Sequence, residues 1–186
     1  MFSIADAVFL RPLPYQHPAQ LLWVGTRFPG MNTEFLASPD YVSWRRDNRV
    51  FQSLAASQAQ GSQQVLLNGS HPEQIYSVRV SANFLRTFAI SPALGRDFNP
   101  AEELPNGPRA ALLSDRLWRE HFHADPAISG RIISIDGLGY TVAGVLPRDF
   151  EFPMDVARRH SHHLACFAQR QSQGSLYVDL GRLWKA

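Results

Sequence analysis

Three serines divide this chain into short units, and that division limits the fold more than any other feature. Ser38 stands before Pro39 and Asp40, an arrangement that favours a helix start: serine as cap, proline in the first turn, and an acid near the positive end of the helix dipole. Tyr41, Trp44 and Phe51 are the expected inward positions of this unit. Ser81 is placed to cap a second helix over 82–88, with Phe84, Leu85 and Phe88 as its buried stripe. Ser114 follows the apolar run Ala110–Leu113 and caps a third helix over 115–122, packing Leu117, Trp118 and Phe122. Met1–Leu10 reads as the end of a further helix, stopped by Pro12 and Pro14.

Between these helices lie strand signals. Leu21–Val24 is a short apolar run, and residues 54–67 alternate loosely as one or two strands. Asn68-Gly69 is a hairpin turn signal leading into a return strand over 73–80. Residues 131–135 and 140–145 form a second hairpin around Asp136–Gly139. The order β-α-ββ-α-β-α-ββ predicts an α+β fold, with small mixed or antiparallel sheets and helices packed on one side. At 186 residues, 45% of them hydrophobic, the chain has enough material for one ordinary core.

Charge separates the last part of the chain from the rest. Residues 1–153 hold 13 Arg against 14 Asp and Glu, whereas 154–186 hold Arg158, Arg159, Arg170, Arg182 and Lys185 against Asp155 and Asp179. The body therefore lacks the basic footprint that nucleic-acid binding needs. After Pro153 the periodicity also fades, so residues 154–186 are expected to be an irregular basic tail read out of frame. No apolar stretch reaches the ~20 residues of a membrane span, and the N-terminus lacks the basic start and cleavage site of a signal peptide.

Several chemistries are excluded or disfavoured by residue type. A phosphate-binding P-loop requires a lysine after its glycine-rich turn, and Lys185 is the only lysine in the chain. Ser114, Asp115 and His121 lie near one another in sequence, but Ser114 is explained as a helix cap and no strained nucleophile turn surrounds it. Gly137-Leu138-Gly139 precedes a strand rather than the helix of a dinucleotide site. His160, His162 and His163 cluster beside arginines, which disfavour a dication. Asp97, Glu102 and Glu103 form an acidic patch in a proline-rich loop, expected to be a solvated connection. Cys166 has no cysteine partner in the chain. The expectation is therefore no catalytic, cofactor-binding or metal-ligating residue and no cofactor.

A set of dispersed segments carries a family resemblance. Phe2–Tyr15, Ser38–Trp44, Phe51–Ala55, Val80–Leu85 with Phe88, Ala93–Phe98, Leu113–Trp118, Ile135–Gly137 and Tyr140–Pro147 occur in an order and spacing that resembles the MacB-like periplasmic core domain of ABC transporter permeases, in the duplicated orphan permease form. The resemblance implies that 1–14 is the end of a first transmembrane helix, that 15–153 is an incomplete core domain, and that the chain is truncated. It further implies a non-catalytic extracytoplasmic module, on the periplasmic side of the inner membrane, that transmits motion or contacts partners during export. The implied partners are other permease segments and a separate ABC ATPase subunit. A free-standing module that binds a small ligand or a protein is the alternative.

Overall fold

The computed structural model describes residues 21–24, 26–27, 34–35, 38–58, 61–68, 71–152, 164–168 and 177–183. The segment 1–14, the Pro12–Pro14 stop and the turn residues Gly69 and Ser70 lie outside them. The described strands are β1 (Leu21–Val24), β2 (Thr26–Arg27), β3 (Glu34–Phe35), β4 (Phe51–Gln58), β5 (Ser62–Asn68), β6 (His71–Val80), β7 (Leu94–Gly95), β8 (Ala110–Leu113), β9 (Ile132–Ile135), β10 (Leu138–Val145), β11 (Leu164–Ala168) and β12 (Tyr177–Leu183). The helices are α1 (Ser38–Asp47), α2 (Phe84–Thr87) and α3 (Asp115–Phe122).

Ten of the strands form one mixed sheet in the order β1-β12-β4-β6-β11-β8-β10-β9-β5, with β7 attached to β10. Because β5 pairs with β6 as well as with β9, the run β6-β11-β8-β10-β9-β5 closes on itself. Closure removes the open edges that a flat sheet of this length would carry. Two pairings in the ring are parallel, β6–β11 and β8–β10, and the others are antiparallel. The strands β1, β12 and β4 extend from the ring through a single pairing of Ser57 with Val80. The fold is α+β.

Ring closure gives the buried strands two apolar faces. On β8, Leu112 belongs to one core with Val78, Cys166, Phe84 and Phe152. Its neighbours Ala111 and Leu113 belong to a second core with Leu66, Ile135, Val142 and Phe167. All four residues of β8 are buried, so the strand reads as a continuous apolar run instead of an alternation. Helix α2 closes the first core: Phe84 packs on Phe88 with ring centroids 4.8 Å apart and stacks on Phe152 at 5.2 Å. Helix α3 contributes Leu117 and Phe122 to the second.

Three local expectations are corrected. Ser81 does not cap α2. Its Oγ accepts the backbone N–H of Ala56 at 2.9 Å, tying the end of β6 to β4, and the helix starts later, at Phe84, after Asn83. Trp44 is 40% exposed, because α1 turns only a narrow face inward through Tyr41 and, one turn later, the partly buried Arg45. The stretch after Pro153 is not irregular where it is described. Strand β11 lies between β6 and β8, with Ala165, Cys166 and Phe167 buried, and β12 pairs with both β1 and β4. A five-residue strand buried on both faces shows no period, which hides it from pattern reading.

Phe152 is fully buried against two other aromatic rings. Phe152→Ala is expected to lower the unfolding free energy by about 3–5 kcal/mol, measured as a shift of the denaturant midpoint with the slope unchanged.

Candidate functional site

The buried charged residues among those described, Glu102 and Glu103, lie between β7 and β8. Gly95 adopts φ +77°, and a Cβ there would stand 2.4 Å from the carbonyl oxygen of Ala143. Its partner Gly144 is equally crowded, so the bare backbones of β7 and β10 can pair closely and direct the following segment across the ring. Asn99 then opens a short 3-10 turn over Pro100–Glu103. The Asn99 side chain accepts from Ala101 N at 3.0 Å, and Glu102 Oε2 accepts from Asn99 N at 2.8 Å, completing a reciprocal cap.

Here Glu102 and Glu103 are each only 4% exposed, so this is not the solvated connection expected from the sequence. Arginines offset the cost of burying them. Arg96 donates from both Nη atoms to Glu102, at 2.5 and 3.2 Å, and this bonding is the largest influence raising the Arg96 pKa. Arg45, from α1, donates to both oxygens of Glu103 at 2.9 Å, and its guanidinium sits over the Tyr41 ring at 5.9 Å. Asp97 is treated differently. Its Oδ1 accepts from Phe98 N at 2.7 Å, whereas Oδ2 is buried 3.6 Å from Arg86 Nε, beyond hydrogen-bond distance. Burial pushes the Asp97 carboxyl above its ordinary value, outweighing the Phe98 bond and the nearby Arg86 and Arg96 charges.

The catalytic grouping weighed from sequence is not assembled. Ser114 Oγ accepts from Leu117 N at 3.2 Å as the cap of α3, and Asp115 pairs with Arg119 at 2.8 Å. His121 lies near the far end of the helix, ~10 Å along its axis from Ser114, where Nε2 stands 3.9 Å from Glu73 Oε1. Gly137, with φ +74°, sits in the two-residue turn between β9 and β10. The preceding Asp136 fastens β5, its carboxylate accepting from Val65 N at 2.8 Å and from the Gln64 amide at 3.0 Å. Cys166 is buried between β6 and β8, and burial pushes its thiol up to about 12, suppressing the thiolate. Among the described residues no three His, Cys, Asp or Glu side chains are grouped to hold a metal ion. His160, His162, His163 and Lys185 lie outside the described residues.

Sequence reading missed the three arginine partners, Arg45, Arg86 and Arg96. The Glu102 part carried a signal: Asn99-Pro100-Ala101-Glu102 has the spacing of a capping box, which draws the glutamate onto the backbone. No local pattern announces Arg45, which stands 58 residues from Glu103.

Comparison with known proteins identifies this ring and its flanking helices as an extracytoplasmic domain of the ABC-type permease class. The profile of the MacB-like periplasmic core domain matches residues 1–179, and the chain belongs to that family. Its fold is similar to the periplasmic region of MacB from Actinobacillus actinomycetemcomitans, with a TM-score of 0.64, 12% identity, and 89% of this chain and 75% of that chain covered. It is also similar to the extracellular domain of the noncanonic ABC-type transporter YknZ from Gram-positive bacteria, with a TM-score of 0.57, 10% identity, and 89% and 83% covered. No curated protein sequence matches significantly. The family is one of transporter permease domains, not an enzyme class. Among the described residues no helix is long and apolar enough to cross a membrane.

Two outcomes follow from the geometry. Ser114→Ala is expected to cost about 1 kcal/mol of stability through loss of the cap, measured by chemical denaturation. For Asp97, a folded-state pKa above the ordinary 3.8 means that the folded chain holds its proton more tightly than the unfolded one. Its contribution is therefore fully present at low pH and lost as pH rises from about that value through the raised one. Relative to Asp97→Asn, the wild-type chain is expected to lose stability over that window, read from denaturation midpoints of both proteins between pH 3 and 7.

Proposed function

We propose that this domain works as a non-catalytic module of an ABC-type permease, transmitting motion or contacting partners and substrate during export. One observation carries the reading: the candidate nucleophiles Ser114 and Cys166 and the acid Asp115 are engaged in holding the fold. Ser114 caps α3, Asp115 pairs along it, and Cys166 is sealed in the sheet. Family membership supplies the setting, a domain that works outside the cytoplasm beside membrane segments. In this reading the periplasmic side of the inner membrane is its location, and the energy comes from a separate ABC ATPase subunit. A closed ring suits such a task, since each of its strands is hydrogen-bonded to a neighbour on both sides.

The purified 186-residue chain is expected to show no ATP turnover above buffer, assayed by phosphate release. In membranes of its host, chemical cross-linking is expected to join the chain to permease segments. Turnover that Ser114→Ala abolishes, or absence of permease segments from every cross-linked product, would count against the proposal.

A further inference from the structure

Helix α1 has a small hold on the rest of the molecule. Tyr41 is buried with Leu54 and Ala56 in a third core, separate from the two that fill and cover the ring. Its hydroxyl donates to Leu54 O at 3.3 Å. Asn48 stiffens the join to β4: its side chain donates to Phe51 O at 2.7 Å and accepts from Phe51 N at 2.8 Å. The α1–β4 unit is thus internally firm, and β4 is joined to the ring in its own right: Ser57 pairs with Val80, Ala56 exchanges two bonds with Ser81, and Asn83 and Thr87 bond Leu54 and Ser53.

The segment from Arg96 to Glu103 gives α1 a second connection to the ring, one that does not pass through β4. At the ring end, Arg96 N donates to Ala143 O of β10 at 2.9 Å, and the Arg96 side chain holds Glu102. In the middle, Asp97 faces Arg86 of α2. At the far end, Glu103 takes the Arg45 guanidinium of α1 on both its oxygens. The reciprocal cap at Asn99 keeps the intervening turn short and stiff.

We propose that Arg96–Glu103 is a strut that ties α1 directly to the closed ring, with the Arg45–Glu103 pair as its detachable end. A charge-assisted bond is well suited to this place. It is strong when made, and the half-exposed Arg45 is hydrated when it opens, so α1 can release without unfolding the ring. The purpose assigned to the strut rests on the proposed role in transmitting motion, but the mechanical connection itself is a property of this chain alone.

Hydrogen exchange on the full 186-residue chain tests it, comparing wild type with Glu103→Gln, Arg45→Met and the double variant. Either single change is expected to speed exchange of the amides from Val42 to Asp47 roughly tenfold, the equivalent of losing one hydrogen bond to a charged group. The double variant is expected to add nothing further, because both changes remove the same contact. Amides of Leu112, Leu113 and Val142 in the ring should keep their protection. Arg45→Met alters a half-exposed residue and keeps its apolar stem, so the test survives if the buried Glu103 does not tolerate change. Unchanged α1 exchange in Arg45→Met, single effects that multiply in the double variant, or equal loss of protection in the ring would each overturn the strut. None of these results bears on transport, and a failed cross-linking experiment leaves the strut untouched.

Discussion

The pairing of β5 with both β9 and β6 is the constraint on which the rest of the structure depends. It turns a long sheet into a ring and assigns every ring strand an inside and an outside. Alternate residues on β8 and β11 therefore enter different cores, and a slip of one position in either strand would exchange them. Asp136 reinforces the closure at its seam, because the carboxylate that ends β9 bonds the backbone of β5 directly. The paired glycines serve a separate contact: β7 pairs with β10 beyond the residues that pair with β9, and only bare backbone fits there.

Much of this plan was legible from residues. The cap at Ser114, the start of α1, the pairing of Asn68 with His71 and the β9–β10 hairpin all obey local rules, and local rules can be read locally. What escaped depends on distant partners. Ser81 looked like a cap because it follows a strand and precedes a helix, yet a neighbouring strand claims its hydroxyl. Trp44 looked buried because it is large and apolar, but it lies off the face that carries Tyr41 and stays 40% exposed. The strand β11 was invisible because its neighbours in the sheet lie far from it in sequence, and its five residues include no charged or strongly polar side chain to reveal a period.

The charged segment follows the same logic. Two of its carboxylates are buried beneath arginines drawn from separate elements, and only the reciprocal cap at Asn99 is written in adjacent residues. The family pattern is recognisable from dispersed segments of the sequence, since order and spacing survive where single motifs are weak. The same residues do not reveal the tie between α1 and the ring.

The place of β11 imposes a timetable on the chain. Its two neighbours in the ring, β6 and β8, are complete by Leu113, but the strand that separates them ends at Ala168. Until then the ring is a broken hoop, with two apolar strands facing an empty slot. The elements between β8 and β11 in sequence, including α3 and the β9–β10 hairpin, cannot complete the ring without β11. A chain stopped short of that point would carry unpaired strand edges suited to foreign strands, so the hazard of this fold lies in its unfinished forms.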